Sequence, residues 1–149
     1  MNISLILQMA ADADPERIGL VCDGRRWSYG ALLRAAQGAA ASIATSGCSH
    51  VALLDESSEA AAIALFGAAI AGIPYVPLNY RLADADLAAL LGRIAPACII
   101  GDVDRSNRLS ADSGHKCLSR AGFVAAAEAA ADSASGEETQ GEGIAVQIF

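Results

Sequence analysis

Few residues in this chain have the types and spacing that chemistry needs. Two adjacent carboxylate pairs, Asp55-Glu56 and Glu137-Glu138, carry the right groups for general acid–base work. Adjacent residues usually point different ways, so each pair reads as a solvated loop. Asp55-Glu56 does end an apolar run, the place where α/β folds often bind ligands. His50 follows Ser49, and His115 stands two residues before Cys117. No ordered Ser/His/Asp set accompanies either histidine, so both read as surface or hydrogen-bonded imidazoles. The His115–Cys117 spacing matches no common zinc pattern. No G-x-x-x-x-G-K-[S/T] or G-x-G-x-x-G stretch is present to cradle phosphates. We therefore assign no catalytic residue and no metal ligand from the sequence.

These residues hang on a chain of 149 residues, enough for one domain with a real core. The hydrophobic share of 54% is inflated by alanine, as in Ala39-Ala40-Ala41 and Ala60-Ala61-Ala62. Alanine favours helix and buries little area. The formal charge of −7 argues against a nucleic-acid partner, which needs Lys and Arg gathered on one face. Cys22, Cys48, Cys98 and Cys117 form no C-x-x-C pair and read as reduced thiols, which points to the cytoplasm. Met1 to Met9 is apolar but has no basic flank, so it does not read as a secretion signal. Ala60 to Leu78 is uncharged and near the ~20-residue spanning length. Pro74 and Pro77 break its second half, and a helix followed by a buried strand explains it better than a membrane span.

Hydrophobic periodicity sets out the elements. Ile3 to Ala11 predicts a helix ended by Pro15. Ile18 to Cys22, the turn signal Asp23-Gly24 and Arg25-Arg26-Trp27 predict a β-hairpin. Ser28 caps a helix from Tyr29 to about Thr45, stopped by Gly47. Val51 to Leu54 is a strand, and Ser57 or Ser58 caps a helix to Ala71, closed by Gly72. Tyr75 to Leu78 is extended, Asp84 or its neighbour opens a helix to Ile94, and Ala97 to Gly101 is the next strand. This alternation predicts an α/β fold with a parallel sheet. Asp102 to Gly114 reads as loop, Lys116 to Leu118 as strand, and Arg120 to Ala131 as helix. Asp132 to Gly143 is rich in Ser, Gly and Glu and is expected to be mobile; Ile144 to Phe149 alternates as a strand.

Leu65 to Leu82 reads LFGAAIAGIPYVPLNYRL. This resembles a core motif of the adenylate-forming superfamily of acyl-CoA synthetases, luciferases and peptide-synthetase adenylation domains. Trp27 to Leu32 is similar to that family's early helix start, with Gly30-Ala31 in place of commoner residues. Val51 to Leu54 and Ala97 to Asp102 look like the family's next strands, in the right order. Asn79-Tyr80-Arg81-Leu82 is closer to the N-x-R-L of acyl- and aryl-CoA ligases than to the D-P-x-Y-P common in peptide-synthetase adenylation domains. The resemblance covers about Ile18 to Asp102 well.

The resemblance implies a doubly wound α/β subdomain belonging to a larger ligase. Residues 1–131 are expected to form it, with an acidic loop at 132–143 and a strand at 144–149 leading toward a phosphate-binding loop. Such a ligase joins a carboxylic acid to AMP using ATP and Mg2+, then passes the acyl group to CoA. A fatty acid is the expected substrate, on how often family members use one. A fatty-acyl-AMP ligase or a peptide-synthetase adenylation domain is the alternative within the family. The phosphate loop, the adenine site and the catalytic Lys of that family lie later than Phe149, so this chain alone is expected to be inactive. Within the chain, Arg81 is the one binding candidate, a guanidinium able to face a CoA phosphate. A non-enzymatic α/β binding or regulatory module is the rival reading, and a homodimer stays open.

Overall fold

The computed structural model describes residues 2–110, 113–133 and 143–149. The chain opens with helix α1 (Ser4–Ala13). Its first turn is held by Asn2, whose Oδ1 accepts from the Ser4 N–H at 3.0 Å. A two-stranded antiparallel hairpin follows, β1 (Ile18–Cys22) and β2 (Arg25–Ser28). Its turn places both Asp23 and Gly24 at positive φ, as the Asp-Gly signal demands. Ser28 then caps α2 (Tyr29–Ala44), its hydroxyl accepting from the Ala31 N–H at 3.2 Å.

Next come β3 (His50–Leu54), α3 (Glu59–Ala71), β4 (Tyr75–Pro77), α4 (Asp84–Arg93) and β5 (Ala97–Gly101). Of the two candidate caps for α3, Ser58 does the work, accepting from the Ala60 N–H at 3.2 Å. Gly72 closes α3 in the left-handed conformation, φ 72°. The chain continues through α5 (Val103–Leu109), β6 (Lys116–Leu118) and α6 (Arg120–Ala130), then a short 3-10 turn, Ala131–Ser133.

The sheet is parallel, in the order β4-β3-β5-β6. Side chains alternate across it and build two cores. Val51, Leu53, Cys98 and Ile100 face α2, α3 and α6, together with Trp27 from the hairpin. Ala52, Leu54, Val76 and Ile99 face α4, with Leu109 of α5 packed beside them. Burial on both faces explains why the strands are continuous apolar runs and not alternating ones. The expected doubly wound α/β fold with an N-terminal hairpin is the one observed.

Two expectations need correction. The stretch Asp102 to Gly114 is not all loop, because α5 occupies 103–109. Its seven residues fully bury only Ser106, so no apolar period announces it. The second concerns the segment 143–149, which pairs with β4 at one parallel bridge, Tyr75 with Val146, and not along a full strand. Tyr75 donates to the Ala145 carbonyl at 3.0 Å and accepts from the Gln147 N–H at 2.9 Å. The next donor on that edge would be Pro77, which has no N–H, so the ladder stops. Most of the expected acidic loop, including Glu137-Glu138, lies outside the described residues.

Candidate functional site at the carboxyl edge of the sheet

β3 and β5 are neighbours, yet the helices that follow them lie on opposite faces of the sheet. A crevice opens between such carboxyl ends, the usual ligand position in open α/β sheets. At its floor Gly101 has φ 130°, and a Cβ there would lie 2.2 Å from the Leu54 carbonyl oxygen. Glycine allows the two strand ends to close up, with the Asp102 N–H donating to Leu54 O at 3.1 Å.

Asp55 stands on this crevice and is not a solvated loop carboxylate. Arg120, the first residue of α6, donates Nε to its Oδ2 and Nη2 to its Oδ1, both at 2.8 Å. The pairing holds the Asp55 carboxyl below its usual range, the Arg120 hydrogen bonds being the main cause. Glu56 stays exposed, its N–H donating to Asp55 Oδ1 at 2.8 Å. Nearby, the Glu59 carboxylate beside the Cys22 thiol raises the thiol and is itself held low, while the thiol's hydrogen-bond partner is Asp23 Oδ2 at 3.9 Å. That keeps Cys22 protonated and a poor nucleophile.

The loop after β4 carries Asn79-Tyr80-Arg81-Leu82. Asn79 folds it into an Asx turn, its Oδ1 accepting from the Arg81 N–H at 3.0 Å. Arg105 of α5 then pins it: Nη1 donates to Tyr80 O at 2.6 Å, Nη2 to Leu82 O at 2.7 Å, and Nε to Asp84 Oδ1 at 2.8 Å. Arg108 adds a second contact to Asp84 at 2.9 Å. Asp84 is held low by Arg108 first and Arg105 second. Asp102 caps α5, its Oδ1 accepting from the Arg105 N–H at 2.9 Å.

Arg81 itself is exposed on this pinned loop, its guanidinium carbon 5.7 Å from the centre of the Tyr80 ring. Arg105 and Arg120 were not singled out by sequence reasoning. Asp102, an N-cap residue type just before α5, is the one local signal that could have found that helix, and it says nothing of what Arg105 binds; Arg120 lies 65 residues from Asp55.

The histidines behave as hydrogen-bonded side chains. His50 Nδ1 lies 2.9 Å from the Ser49 hydroxyl, and the Ala97 N–H donates to His115 Nδ1 at 2.9 Å. Burial pushes His115 below its usual range. All four cysteines are free, and burial raises the Cys98 thiol to about 11. Among the described residues no three His, Cys, Asp or Glu side chains gather as a metal site. Asp55 and Asp84 are tied to arginines and Asp102 to a helix N–H, so these three edge carboxylates do not fit a Mg2+ ion. No described helix is long and apolar enough to cross a membrane.

The architecture is therefore an open doubly wound α/β unit whose carboxyl-edge charges hold its own loops. The model of the family described as AMP-binding enzyme matches residues 7–146, and the chain belongs to that family. A search of curated protein sequences gave no significant match.

Among solved structures, VinN in complex with 3-methylaspartate is similar at a TM-score of 0.85 and 20% identity, with 98% of this chain and 43% of that one covered. The ATP-bound form of MatB from Rhodopseudomonas palustris is similar at 0.74 and 22% identity, covering 98% of this chain and 32% of that one. A benzoate CoA ligase from Burkholderia xenovorans LB400 is similar at 0.78 and 20% identity, covering 95% and 30%. This chain thus spans less than half the length of these structures.

Proposed function

We propose that this chain is the N-terminal part of an ATP-dependent carboxylate–CoA ligase. In that reaction a carboxylate oxygen displaces pyrophosphate from ATP to give an acyl-adenylate, and the CoA thiol then displaces AMP to give a thioester. The observation that carries the proposal is the family match over 7–146, on a fold whose carboxyl edge uses its charges to position loops. The chain's own part is to supply the scaffold. Asp55–Arg120 and Arg105–Asp84 fix the crevice walls, and Arg81 is displayed at the rim. An exposed guanidinium there suits a phosphate of CoA.

A fatty acid is the first substrate to try, with benzoate and aspartate next. The resemblance of Asn79 to Leu82 to acyl- and aryl-CoA ligases supports CoA as acceptor over a peptide-synthetase carrier. The four free thiols support a cytoplasmic setting. A test is to extend the polypeptide through the reading frame beyond the Phe149 codon and assay acyl-CoA formation over a panel of acids. Thioester formation with one of them supports the reading. A frame that carries no further adenylating sequence overturns it in favour of a binding or structural module.

A further inference from the structure

The face of the sheet under α2 and α6 holds a second feature, running along β6 from its first residue, Lys116, to its last, Leu118. A groove of about 220 Å3 lies between α2 and α6 where they overhang β5 and β6. The two helices touch where Gly38 meets Ala127: a Cβ on Gly38 would sit 2.0 Å from the Ala127 carbonyl oxygen. Beside that contact, Ala126 is too small to fill the gap, and the groove is left with Ile43, Phe123, Leu118 and the Cys98 side chain as its walls.

Lys116, the first residue of β6, stands in the same lining. It is the chain's one lysine, in a protein of net charge −7. Among the described residues no carboxylate lies within ion-pair distance of it, whereas Arg25, Arg105, Arg108 and Arg120 all have one.

The remaining polar groups in the lining are hydroxyls already committed as donors. Ser42 donates to Gly38 O, Thr45 to Ala41 O and Ser46 to Ile43 O. None has a proton left for a ligand's oxygen. Lys116 therefore supplies the only charged donors of the lining, on a single positive charge, beside the weak S–H donor of Cys98. A single ammonium-bearing residue in the lining of an apolar slot matches a monoanion with a hydrocarbon tail. A phosphate dianion would want more donors than the groove has.

We propose that this groove binds a short- to medium-chain carboxylate, its head on Lys116 and its tail against Ile43, Phe123 and Leu118. The inference does not depend on the ligase reading, because Lys116 and the C-terminal half of α2 lie at the opposite end of the strands from Asp55 and Arg81. The whole 149-residue chain is titrated with octanoate and, in parallel, with octan-1-ol, followed by chemical shifts of the Phe123 and Leu118 side chains. Octanoate should shift both and bind at least about tenfold more tightly than octanol, a difference of about 1.4 kcal/mol. Lys116→Met keeps the stem and removes the charge; it should bring octanoate down to the octanol level. Ala126→Phe should fill the slot and abolish both.

Equal binding of the two ligands by the unaltered chain overturns the proposal, as does octanoate binding that survives Lys116→Met. So does a groove covered by a second copy, seen as a dimer that Ala126→Phe dissociates. Since Lys116 is exposed and the readout is binding and not turnover, these outcomes are separate from success or failure of the ligase assay.

Discussion

Arg120 grips both carboxylate oxygens of Asp55 at 2.8 Å and so ties the end of β3 to the start of α6. Both side chains are partly covered, 33% and 20% exposed, so solvent screens the pair without cancelling it. Replacing Arg120 with Ala leaves Asp55 on the crevice without its partner. We expect a loss of about 1–2 kcal/mol in urea unfolding, and a coupling of about 1 kcal/mol in a cycle with Asp55→Asn. Additive losses in that cycle would show that the contact is only spatial.

Arg105 binds the Tyr80 and Leu82 carbonyls through different nitrogens, a reach that lysine cannot copy. Arg105→Lys should leave the fold intact and loosen the loop. Amide exchange at Arg81 and Leu82 should speed up by about tenfold, and α3 amides should not change. Unchanged exchange at Arg81 would mean that the Asx turn alone holds the loop.

His115 sets an acid limit. Its Nδ1 accepts from the Ala97 N–H, which requires the neutral ring, and burial lowers its affinity for a proton. As pH falls below about 6.5, the unfolded chain takes up a proton at this histidine before the folded chain does. Stability therefore falls on acidification through that range, and Asp55 and Asp84, held low in the fold, add their losses only in more acid solution. The melting temperature should drop between about pH 7.5 and about pH 5.5. In His115→Asn, which keeps an acceptor but no titration, the drop should shrink.

Two glycines give substitutions of opposite sign. Gly38→Ala places a methyl into the Ala127 backbone and should cost about 3 kcal/mol. Gly92, in α4, has open space where a Cβ would go, so Gly92→Ala should stabilise by about 0.5 kcal/mol through helix propensity. Chemical denaturation of both variants checks the pair.

The sequence spoke clearly where one local rule decided the outcome. Ser28 announces its helix by cap chemistry, and Ser57-Ser58 announce theirs with the capping member left open. Gly72 is legible by its left-handed stop, and the runs at 51–54 and 97–101 by unbroken apolar character. It was silent where distant partners decide. Asp55 looks like any loop acid until Arg120 arrives from 65 residues away. Helix α5 is held by the Asp102 cap and by the Arg105 contacts to Tyr80, Leu82 and Asp84, none of which leaves a periodic trace. The single bridge at Val146 likewise depends on Pro77 blocking the edge of another strand.

The central claim is that this chain supplies the scaffold of an adenylate-forming ligase and not its chemistry. Acid-dependent exchange of pyrophosphate into ATP tests it most directly, run on the purified 149-residue chain with octanoate, benzoate and aspartate. The account predicts exchange no higher than the protein-free background with every acid. Exchange above background that needs the acid and vanishes on unfolding would contradict it, and would place a working adenylation site within these residues.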